Sequence, residues 1–442
     1  MDSRKLILVS VTLVWCLGVV VQGFTYDDKE VETVESRSAL FERWRSHHNM
    51  ESISVEAKRK QYNNFLATLE TVQASNKAKK SYKLGLNKFS GMSKEEFRSQ
   101  YTGLKLPLFR QTDPEPFMYR NFTDIPPRID WKANGALGRV RNQQGCGSCA
   151  QFAASEALDG LNFIKTKKLV EVSPKELLDC GNVGGCAGSF FTACFDYVAK
   201  NGGITTDKNY PYKPVQEPCN HQKEKDIVVE VHGYENIPAP GTEENLLKII
   251  SNQPASCGMY WNEEIASYKE GVYEGSCGPI PIHAVAVVGF DETPEGQKYW
   301  LIKNSWGPDW GDKGYMKLAR GKGGEGHCGI AHWCAYPTFD DTGGSHKEKG
   351  PMNVVLEEIN QRTQATSEAN GLAPTDIKDC FERILGVRRG HIRGIGRKPP
   401  YRCVYLQMLQ TILQDPACSA ALEEWFRSLP PPNNEGDDDE DE

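Results

Sequence analysis

The stretch NQQGCGSCAQFA, residues 142–153, places Cys149 at a change in the character of the chain. Glycine and polar residues precede this cysteine. The apolar residues that follow it recur at the spacing of one helical face: Ala154, Ala157, Leu158 and Leu161. A helix is therefore predicted to begin at or beside Cys149. The free amides and the dipole at a helix N-terminus favour negative charge, which lowers a thiol pKa and populates the nucleophilic thiolate.

A histidine and an asparagine flank a predicted β-hairpin further along the chain. Residues 283–290 are typical of a buried strand, residues 291–297 of a turn, and residues 299–304 of the returning strand. An antiparallel hairpin centred on that turn sets His283 opposite Asn304. The amide can then hold the imidazole while its other nitrogen faces a thiolate, which is the arrangement of nucleophile, base and orienting group used in covalent catalysis.

Three motifs in this order resemble the papain and cathepsin cysteine peptidases: CGSC at 146–149, HAV at 283–285 and NSWG at 304–307. The histidine and the asparagine follow the cysteine by 134 and 155 residues, against about 130–150 in that family's signature. The resemblance spans roughly residues 38–337. It implies an α+β, papain-like two-lobed fold, with a helical lobe, a β-barrel-like lobe and a helical propeptide ahead of both. It also implies a cysteine endopeptidase that works through an acyl-enzyme and is synthesised as a zymogen.

The same resemblance implies roles for individual residues. Cys149 would be the nucleophile, His283 the base and later the acid, Asn304 the orienting amide, and Gln143 a donor to the oxyanion beside the Cys149 amide. Trp306 would shield the His283–Asn304 contact at the edge of the substrate site. The pocket for an apolar substrate side chain would be lined by Phe190, Phe191, Gly258, Ala284 and Trp333. No cofactor and no metal are implied.

The start of the chain resembles a secretory signal, which decides how its fourteen cysteines are interpreted. A basic start precedes an apolar run of 16 residues and a small residue at Gly23; a membrane span needs about 20. Disulfides are therefore permitted. By resemblance they would join Cys146 to Cys186, Cys180 to Cys219, and Cys277 to Cys328, while a bridge between Cys257 and Cys334 stays open. Asn121 begins a glycosylation sequon.

Composition and the resemblance together divide the chain into four parts, of which the inhibitory propeptide and the papain-like peptidase domain are implied by the resemblance. These are a signal peptide (1–23), an inhibitory propeptide (24–124), a papain-like peptidase domain (125–337) and a C-terminal extension (338–442) that is partly disordered and ends in an acidic tail. Prolines in residues 112–127 predict an exposed linker. The expected destination is the secretory pathway, in the vacuole or lysosome or outside the cell.

The propeptide pattern is helical, with one strand. Helices are predicted at 38–46 and 55–76, a strand at 82–89, and a further helix opened by the capping box Ser93–Glu96. Residues 85–89 match the start of a family motif, G-x-N-x-F-x-D, but Gly91 stands where the family has aspartate. By resemblance this region lies through the cleft and blocks it until acid or another peptidase removes it.

Partners follow from the same resemblance. They are protein and peptide substrates, the chain's own propeptide and cystatin-type inhibitors, with the enzyme a monomer and no membrane contact. The formal net charge is −7, and seven acids among the last eight residues account for it, so the remaining chain has no net field that favours a polyanion. The basic run at 388–398 leaves nucleic-acid binding by the extension as an alternative to a solvated loop.

Several departures leave other hypotheses open. Ala150 stands where the family has an aromatic residue, Gln151 replaces a small one, and Ser189 replaces a glycine that binds substrate backbone. An impaired relative that acts by binding is therefore the alternative function. At the cysteines, a CxxC redox pair at 146–149 and a zinc site of Cys328, His332 and Cys334 are the alternatives to thiol catalysis and disulfides.

Overall fold

The structure is a computed structural model that describes residues 23–107, 117–181 and 183–339. The chain divides into two compact units, and of the second unit only Pro107 is described. The predicted signal peptide up to residue 22, the extension from residue 340 and the basic run at 388–398 lie outside the described residues. Among the described helices, none is both long and apolar enough to cross a membrane.

The N-terminal helical region, residues 23–107, consists of three helices, one strand and a 3-10 turn. They are α1 (Val34–His47), α2 (Val55–Lys77), β1 (Tyr82–Leu84), α3 (Lys94–Tyr101) and the turn Asp28–Val31. The predicted helices and the capping box at Ser93 are confirmed. The predicted strand is shorter than expected, because residues 87–90 close a turn in which the Ser90 amide donates to the Asn87 carbonyl.

α1 and α2 pack through their apolar stripes. Leu40, Phe41 and Trp44 are buried on α1, and Phe65 on α2 meets the Trp44 ring at a centroid distance of 5.1 Å. The Trp44 indole N–H donates to the Asn87 carbonyl at 2.8 Å. This bond ties the helical pair to the turn that follows β1.

The body, residues 125–339, combines five helices with eight strands. The helices are α4 (Cys149–Thr166), α5 (Pro174–Asp179), α6 (Phe191–Asn201), α7 (Glu243–Asn252) and α8 (Glu263–Ala266). The strands are β2 (Ile129–Asp130), β3 (Gly233–Asn236), β4 (Ala255–Tyr260), β5 (Tyr268–Tyr273), β6 (Pro281–Glu292), β7 (Lys298–Lys303), β8 (Tyr315–Ala319) and β9 (Cys334–Thr338). Short 3-10 turns lie at Gly185–Ala187 and His327–Gly329.

The described strands form one sheet in the order β1-β5-β8-β7-β6-β4-β9-β3, with β2 paired to β6 beside this path. All pairs are antiparallel except β5 with β8. α4 lies between the sheet and α6. Its alanine-rich sequence favours a helix and lets neighbouring elements approach closely, and its first 14 residues are buried.

The β6–β7 hairpin corrects the register predicted from the sequence. Ala286 lies opposite Lys303, a bulge follows Val287, and β7 ends before Asn304. His283 pairs instead with Met259 of β4. His283 and Asn304 are therefore not backbone partners, because Glu292 pairs with Lys298, which centres the turn at residue 295 and not midway between His283 and Asn304.

A buried ionic network attaches α4 to β7. Glu156 of α4 accepts from the Arg141 guanidinium at 3.0 Å and from Lys303 Nζ at 2.6 Å, and Arg141 also donates to Asp159 at 2.8 Å. All four side chains are buried. The network holds the helix that begins at Cys149 against the strand that leads to Asn304.

Glu156→Gln should destabilise the fold strongly, because it leaves the buried Lys303 without its carboxylate partner and leaves Arg141 paired with Asp159 alone. Breaking a buried ion pair costs about 3–5 kcal/mol in free energy of unfolding. The matched control is Glu42→Gln, whose pair with Lys58 is exposed on both sides and is expected to contribute less than about 1 kcal/mol. Urea unfolding of the full chain measures both changes. Equal effects of the two substitutions would contradict the assigned role of the network.

Candidate active site

Cys149 is the first residue of α4, as the sequence predicted. Ser148 is the N-cap, yet its side chain makes no capping bond to the helix amides. Its hydroxyl instead lies 2.8 Å from the Tyr212 hydroxyl. The Ala284 amide donates to Cys149 Sγ at 3.4 Å, so the sulfur lies beside the backbone of β6 directly after His283.

His283 has a fixed ring orientation. Its Nε2 lies 2.8 Å from Asn304 Oδ1, and that oxygen also accepts from the Ser305 amide at 2.8 Å. Because Asn304 presents an acceptor, Nε2 carries the proton and Nδ1 is left as the basic nitrogen. Nδ1 is buried and has no hydrogen-bond partner among the described residues.

Trp306 covers this histidine. The indole and imidazole rings stack at 4.5 Å with 29° between their planes. Trp306 is itself fully buried, and its indole N–H donates to the Tyr101 carbonyl at 3.0 Å. The residue therefore joins the histidine to the N-terminal helical region as well as excluding water from the His283–Asn304 contact.

Gln143 is held by Ser305 on both its backbone and its side chain. Its amide donates to the Ser305 carbonyl at 2.8 Å, and its Oε1 accepts from the Ser305 hydroxyl at 2.7 Å. Its Nε2 donates to the Cys146 carbonyl at 2.9 Å. The amide group thus faces the loop that leads into Cys149.

Tyr212 is a residue that the sequence analysis missed. Its hydroxyl contacts both sides of the loop before α4, donating to the Gln143 carbonyl at 2.8 Å and lying at the same distance from Ser148 Oγ. Its ring packs edge-on against Phe152 at 4.7 Å. No local pattern could have revealed it, because the contact spans 64 residues to Ser148.

A short extended segment, residues 102–105, crosses the site and is here called the covering strand. The amides of Gly103 and Leu104 both donate to the Ile282 carbonyl at 3.0 Å, while the Ser189 amide donates to the Gly103 carbonyl at 2.8 Å. The Lys105 amide donates to the Ser189 carbonyl at 2.9 Å. The strand therefore bridges both sides of the site.

The covering strand approaches Cys149 closely because it contains glycine. A Cβ at Gly103 would lie 2.0 Å from the Gly147 carbonyl oxygen, so any side chain there collides with backbone. Cys149 is 0% exposed and His283 only 1% exposed beneath it. A substrate cannot reach either residue while the strand is in place.

Leu104 of the covering strand occupies the predicted substrate pocket. It packs in one apolar cluster with Ala284 and Cys149. A Cβ at Gly258 would lie 2.8 Å from Leu104 Cδ2 and 3.3 Å from Trp333 Cβ, so glycine makes room for the leucine. Leu104 was not singled out from the sequence, since it follows α3 in a stretch without periodicity.

The two predicted pocket phenylalanines differ in position. Phe190 is partly exposed, and its ring lies 6.0 Å from that of Trp333. Phe191 is the first residue of α6 and is fully buried. The centroid of its ring lies 4.1 Å from that of Phe190. The structure thus brings Phe190, Gly258, Ala284 and Trp333 around Leu104, with Phe191 in the core of the helical lobe.

Burial keeps both reactive groups uncharged in this covered state. It raises the pKa of the Cys149 thiol to about 12, against amide hydrogen bonds that act in the opposite direction. It lowers the pKa of His283 to about 4, although the bond to Asn304 favours the charged ring. At neutral pH the pair is therefore a thiol and a neutral imidazole, because desolvation disfavours the charged forms.

The N-terminal helical region binds the body through aromatic and ionic contacts. The ring of Phe97 stacks on that of Trp261, with 4.8 Å between the ring centroids and 7° between the ring planes. Lys88 donates to the Trp306 carbonyl at 2.6 Å and pairs with Asp309 at 3.2 Å. These contacts position α3 so that the chain following it enters the site as the covering strand.

Four disulfides are present in the described residues. They join Cys146 to Cys186, Cys180 to Cys219, Cys257 to Cys334, and Cys277 to Cys328. The three pairs implied by resemblance are thus formed, and the pair left open is formed as well. These bonds exclude the CxxC redox pair, because Cys146 is engaged elsewhere, and the zinc site, because Cys328 and Cys334 belong to different bridges. The free thiols of the described residues are Cys149 and Cys194, both buried.

Ala150 and Gln151 lie behind the site. Ala150 is fully buried in the apolar cluster around Cys149. Gln151 is also fully buried, and neither its Oε1 nor its Nε2 has a hydrogen-bond partner among the described residues. An unsatisfied buried amide carries a desolvation penalty of about 1–3 kcal/mol.

Family comparison agrees with this geometry. Residues 125–338 match the papain family cysteine protease model. Residues 41–97 match the cathepsin propeptide inhibitor domain. Vignain of Phaseolus vulgaris is 42% identical over 346 residues, which is 76% of this chain and 95% of that protein. The chain belongs to the papain family of cysteine proteases.

Other papain-family members extend this result. Cysteine protease Amb a 11.0101 of Ambrosia artemisiifolia is 40% identical over 77% of this chain and 90% of its own length. The crystal structure of the ragweed pollen allergen Amb a 11 in its proform superposes with a TM-score of 0.67 at 38% identity, covering 72% of this chain and all of that one. The recombinant stem bromelain precursor gives a TM-score of 0.63 at 31% identity, over 69% and 99% of the two chains. The predicted α+β papain-like fold with a helical propeptide is therefore confirmed, and the chain is a thiol endopeptidase in its zymogen form.

Cys149 should react slowly with iodoacetamide at pH 7 in the full chain, since a thiol with a pKa of about 12 is almost wholly protonated there. Leu104→Ala should accelerate the reaction, because truncating a buried leucine costs about 2–5 kcal/mol and populates the open state at least tenfold more. Mass spectrometry of the labelled peptide measures the rate. Lys105→Ala is the control, because its side chain is exposed and only its amide holds the strand. Rapid labelling of the unmodified zymogen would refute the assigned cover.

Tyr212→Phe should lower kcat of the activated enzyme and leave KM unchanged. It removes the hydroxyl that holds Gln143 and Ser148 while keeping the ring on Phe152, and a lost hydrogen bond of about 0.5–1.5 kcal/mol corresponds to about a 2- to 10-fold decrease. Steady-state kinetics on a peptide substrate separate the two constants. Tyr197→Phe is the control, since that hydroxyl bonds Glu176 instead. The same kcat for both variants would exclude a positioning role.

Proposed function

We propose that Cys149, His283 and Asn304 carry out peptide hydrolysis, with Gln143 and the Cys149 amide binding the oxyanion. The observation that carries this proposal is the fixed imidazole. Asn304 Oδ1 accepts a hydrogen bond from Nε2–H and leaves Nδ1 as the basic nitrogen. The next residue, Ala284, donates its amide to Sγ of Cys149, the residue that begins α4. Because the imidazole ring is already held with Nδ1 unprotonated, the ring does not have to rotate or change tautomer before it accepts a proton from the thiol.

Removal of the covering strand starts the reaction cycle. Water and substrate then reach Cys149, the desolvation that raised its pKa is relieved, and the amides of the α4 N-terminus favour the thiolate. The proton passes to His283 Nδ1. The product of this step is the thiolate–imidazolium pair that the covered state prevents.

Two further steps complete hydrolysis. The Cys149 thiolate attacks the substrate carbonyl carbon, and the developing oxyanion accepts hydrogen bonds from Gln143 Nε2 and the Cys149 amide. His283 gives its proton to the leaving amine, so the peptide bond breaks and a thioester remains. Nδ1 then removes a proton from water, whose attack on the thioester releases the acid and regenerates the thiol.

The pocket occupied by Leu104 is proposed to select an apolar side chain. Gly258 and Ala284 provide space, and Phe190 and Trp333 provide aromatic walls. Burial of apolar surface contributes about 25 cal/mol per Å² to binding in such a pocket. An aliphatic or aromatic residue one position before the residue at the cleaved bond is therefore the expected substrate feature.

The remaining assignments follow family membership and the sequence. Residues 24–124 are proposed as the propeptide, whose contacts with the body are supported by the covering strand and the Phe97–Trp261 stack. We propose a monomeric enzyme of the vacuole, lysosome or extracellular space that is inhibited by cystatin-type proteins. Asn121 is proposed to carry a glycan, supported by its exposed position.

Cys149→Ser should abolish activity, and Gln143→Ala should lower kcat about 10²–10³-fold, the usual loss for one oxyanion donor. The test acidifies the full chain, removes the propeptide and follows hydrolysis of a peptide with leucine in the selected position. The matched control is Gln144→Ala, a neighbour of the same type whose side chain is exposed. The proposal fails if the trimmed wild-type chain is inactive and leaves Cys149 unlabelled by a thiol-directed peptidyl epoxide, an outcome that would favour a relative acting by binding.

A further inference from the structure

Phe97 of α3 contacts two tryptophans of the body. Its ring lies nearly parallel to that of Trp261, with 4.8 Å between the centroids, and edge-on to that of Trp306, with 5.1 Å between the centroids. All three side chains are buried. The two tryptophans that receive this ring are here called the aromatic site. Phe97 belongs to the region proposed as the propeptide, so removal of that region uncovers the aromatic site.

The aromatic site and the pocket of Leu104 lie on opposite sides of His283. In β4, Met259 is the residue that pairs with His283. Gly258, which makes room for Leu104, precedes that pair, and Trp261 follows it just after the strand ends. A peptide with an apolar side chain in the Leu104 pocket and its cleaved bond at the proposed nucleophile therefore directs its leaving half, the residues after that bond, toward Trp261.

The zymogen chain follows the same path in its own structure. Leu104 fills the proposed pocket and Phe97 fills the aromatic site, with Gly103 between them against the loop that leads into α4. The Trp306 ring connects the two regions, because it also stacks on His283 at a centroid distance of 4.5 Å. Two ring contacts thus separate the Phe97 ring from the proposed base.

Both indoles of the aromatic site carry a hydrogen-bond donor. Trp306 Nε1–H donates to the Tyr101 carbonyl at 3.0 Å, so a backbone acceptor of the N-terminal helical region satisfies it. Trp261 Nε1 is buried and has no hydrogen-bond partner among the described residues. A buried tryptophan N–H usually has a partner, so this donor is unusual in an aromatic cluster that serves packing alone. A peptide entering the cleft supplies backbone carbonyls as acceptors.

Acidic side chains of the body lie around the aromatic site. Glu263, at the start of α8, pairs with Lys94 of α3 at 2.6 Å, and Asp309 pairs with Lys88 at 3.2 Å. The two lysines belong to the proposed propeptide, whereas the two acids belong to the body. After removal of the propeptide the acids remain, so a carboxylate in the leaving half of a substrate is repelled there and a neutral ring is not.

We propose that the aromatic site binds an aromatic side chain of the substrate, carried by the first or second residue after the cleaved bond, and that Trp261 selects it. Aromatic pairs favour offset-stacked and edge-to-face arrangements with centroids about 4.5–7 Å apart, and Phe97 makes one contact of each kind. A substrate ring in its place would be held by the same two contacts. This inference rests on the proposed function and extends it to the leaving half of the substrate.

The test compares internally quenched peptides that share leucine in the position of the Leu104 pocket and differ only after the cleaved bond. Phenylalanine, alanine or glutamate is placed at the first or the second of those positions, and mass spectrometry confirms the bond that is cut. For the activated wild-type chain we expect kcat/KM to be about tenfold higher with phenylalanine than with alanine at one of the two positions, and lower with glutamate than with alanine. Equal kcat/KM for phenylalanine and alanine at both positions would overturn the proposal.

Two substitutions at Trp261 separate ring recognition from apolar packing. Trp261→Leu keeps an apolar side chain and should bring the phenylalanine-to-alanine ratio of kcat/KM close to one, whereas Trp261→Phe keeps a ring and should retain most of the wild-type ratio. Each ratio is independent of the fraction of folded enzyme. Trp131→Leu is the matched control, because that tryptophan packs on a different apolar cluster and donates to the Ile250 carbonyl. A wild-type ratio in Trp261→Leu would contradict the assignment.

A binding measurement distinguishes failure of this inference from failure of the proposed function. The Cys149→Ser chain is trimmed by added pepsin at acid pH, and intact mass confirms that α3 has been removed. Phenylalanyl-lysinamide and alanyl-lysinamide are then titrated into it, with tryptophan fluorescence as the signal. We expect tighter binding of the phenylalanyl probe. That preference together with an inactive wild-type enzyme would refute the proposed function alone, whereas equal affinities together with an active enzyme would refute the aromatic site alone.

Discussion

The position of one amide oxygen governs the rest of the site. Asn304 Oδ1 accepts from His283 Nε2 and from the Ser305 amide, so its identity as an acceptor is fixed by two donors at once. Ser305 in turn holds Gln143 through its hydroxyl and carbonyl. The proposed base, His283, and the proposed oxyanion donor, Gln143, are therefore positioned by consecutive residues after β7. The buried Glu156 network holds that strand to the helix of Cys149, so the geometry depends on the contact between the two lobes.

Inhibition in this zymogen is achieved by desolvation as well as by obstruction. The covering strand satisfies its own amides on Ile282 and Ser189, and places Leu104 where an apolar substrate side chain would bind. The same burial shifts the thiol and imidazole pKa values apart in the direction that suppresses charge. One short segment thus occupies the proposed substrate site and keeps the Cys149 thiol and the His283 imidazole uncharged.

The sequence predicted the local part of this arrangement. Alanine and leucine periodicity identified the helix that begins at Cys149, and the CGSC, HAV and NSWG motifs indicated the family and the His283–Asn304 contact. The register of the hairpin was wrong, since turn-forming residues at 291–297 predict a loop without fixing which pair of residues closes it. Tyr212 and Leu104 were missed because their contacts span distant parts of the chain. Phe117 lies in the segment predicted as an exposed linker, yet it is buried in the main apolar core, because burial of an isolated phenylalanine depends on the surface that receives it.

The bridge between Cys257 and Cys334 joins the neighbouring strands β4 and β9. Gly258 follows Cys257 in the chain, and Trp333 precedes Cys334. One wall of the proposed substrate pocket is therefore joined covalently across β4 and β9. Both sulfurs are buried, and thiol exchange requires access to a sulfur atom. A mild reductant can consequently keep the Cys149 thiol reduced without breaking the Cys257–Cys334 bridge that joins the two strands of the proposed substrate pocket.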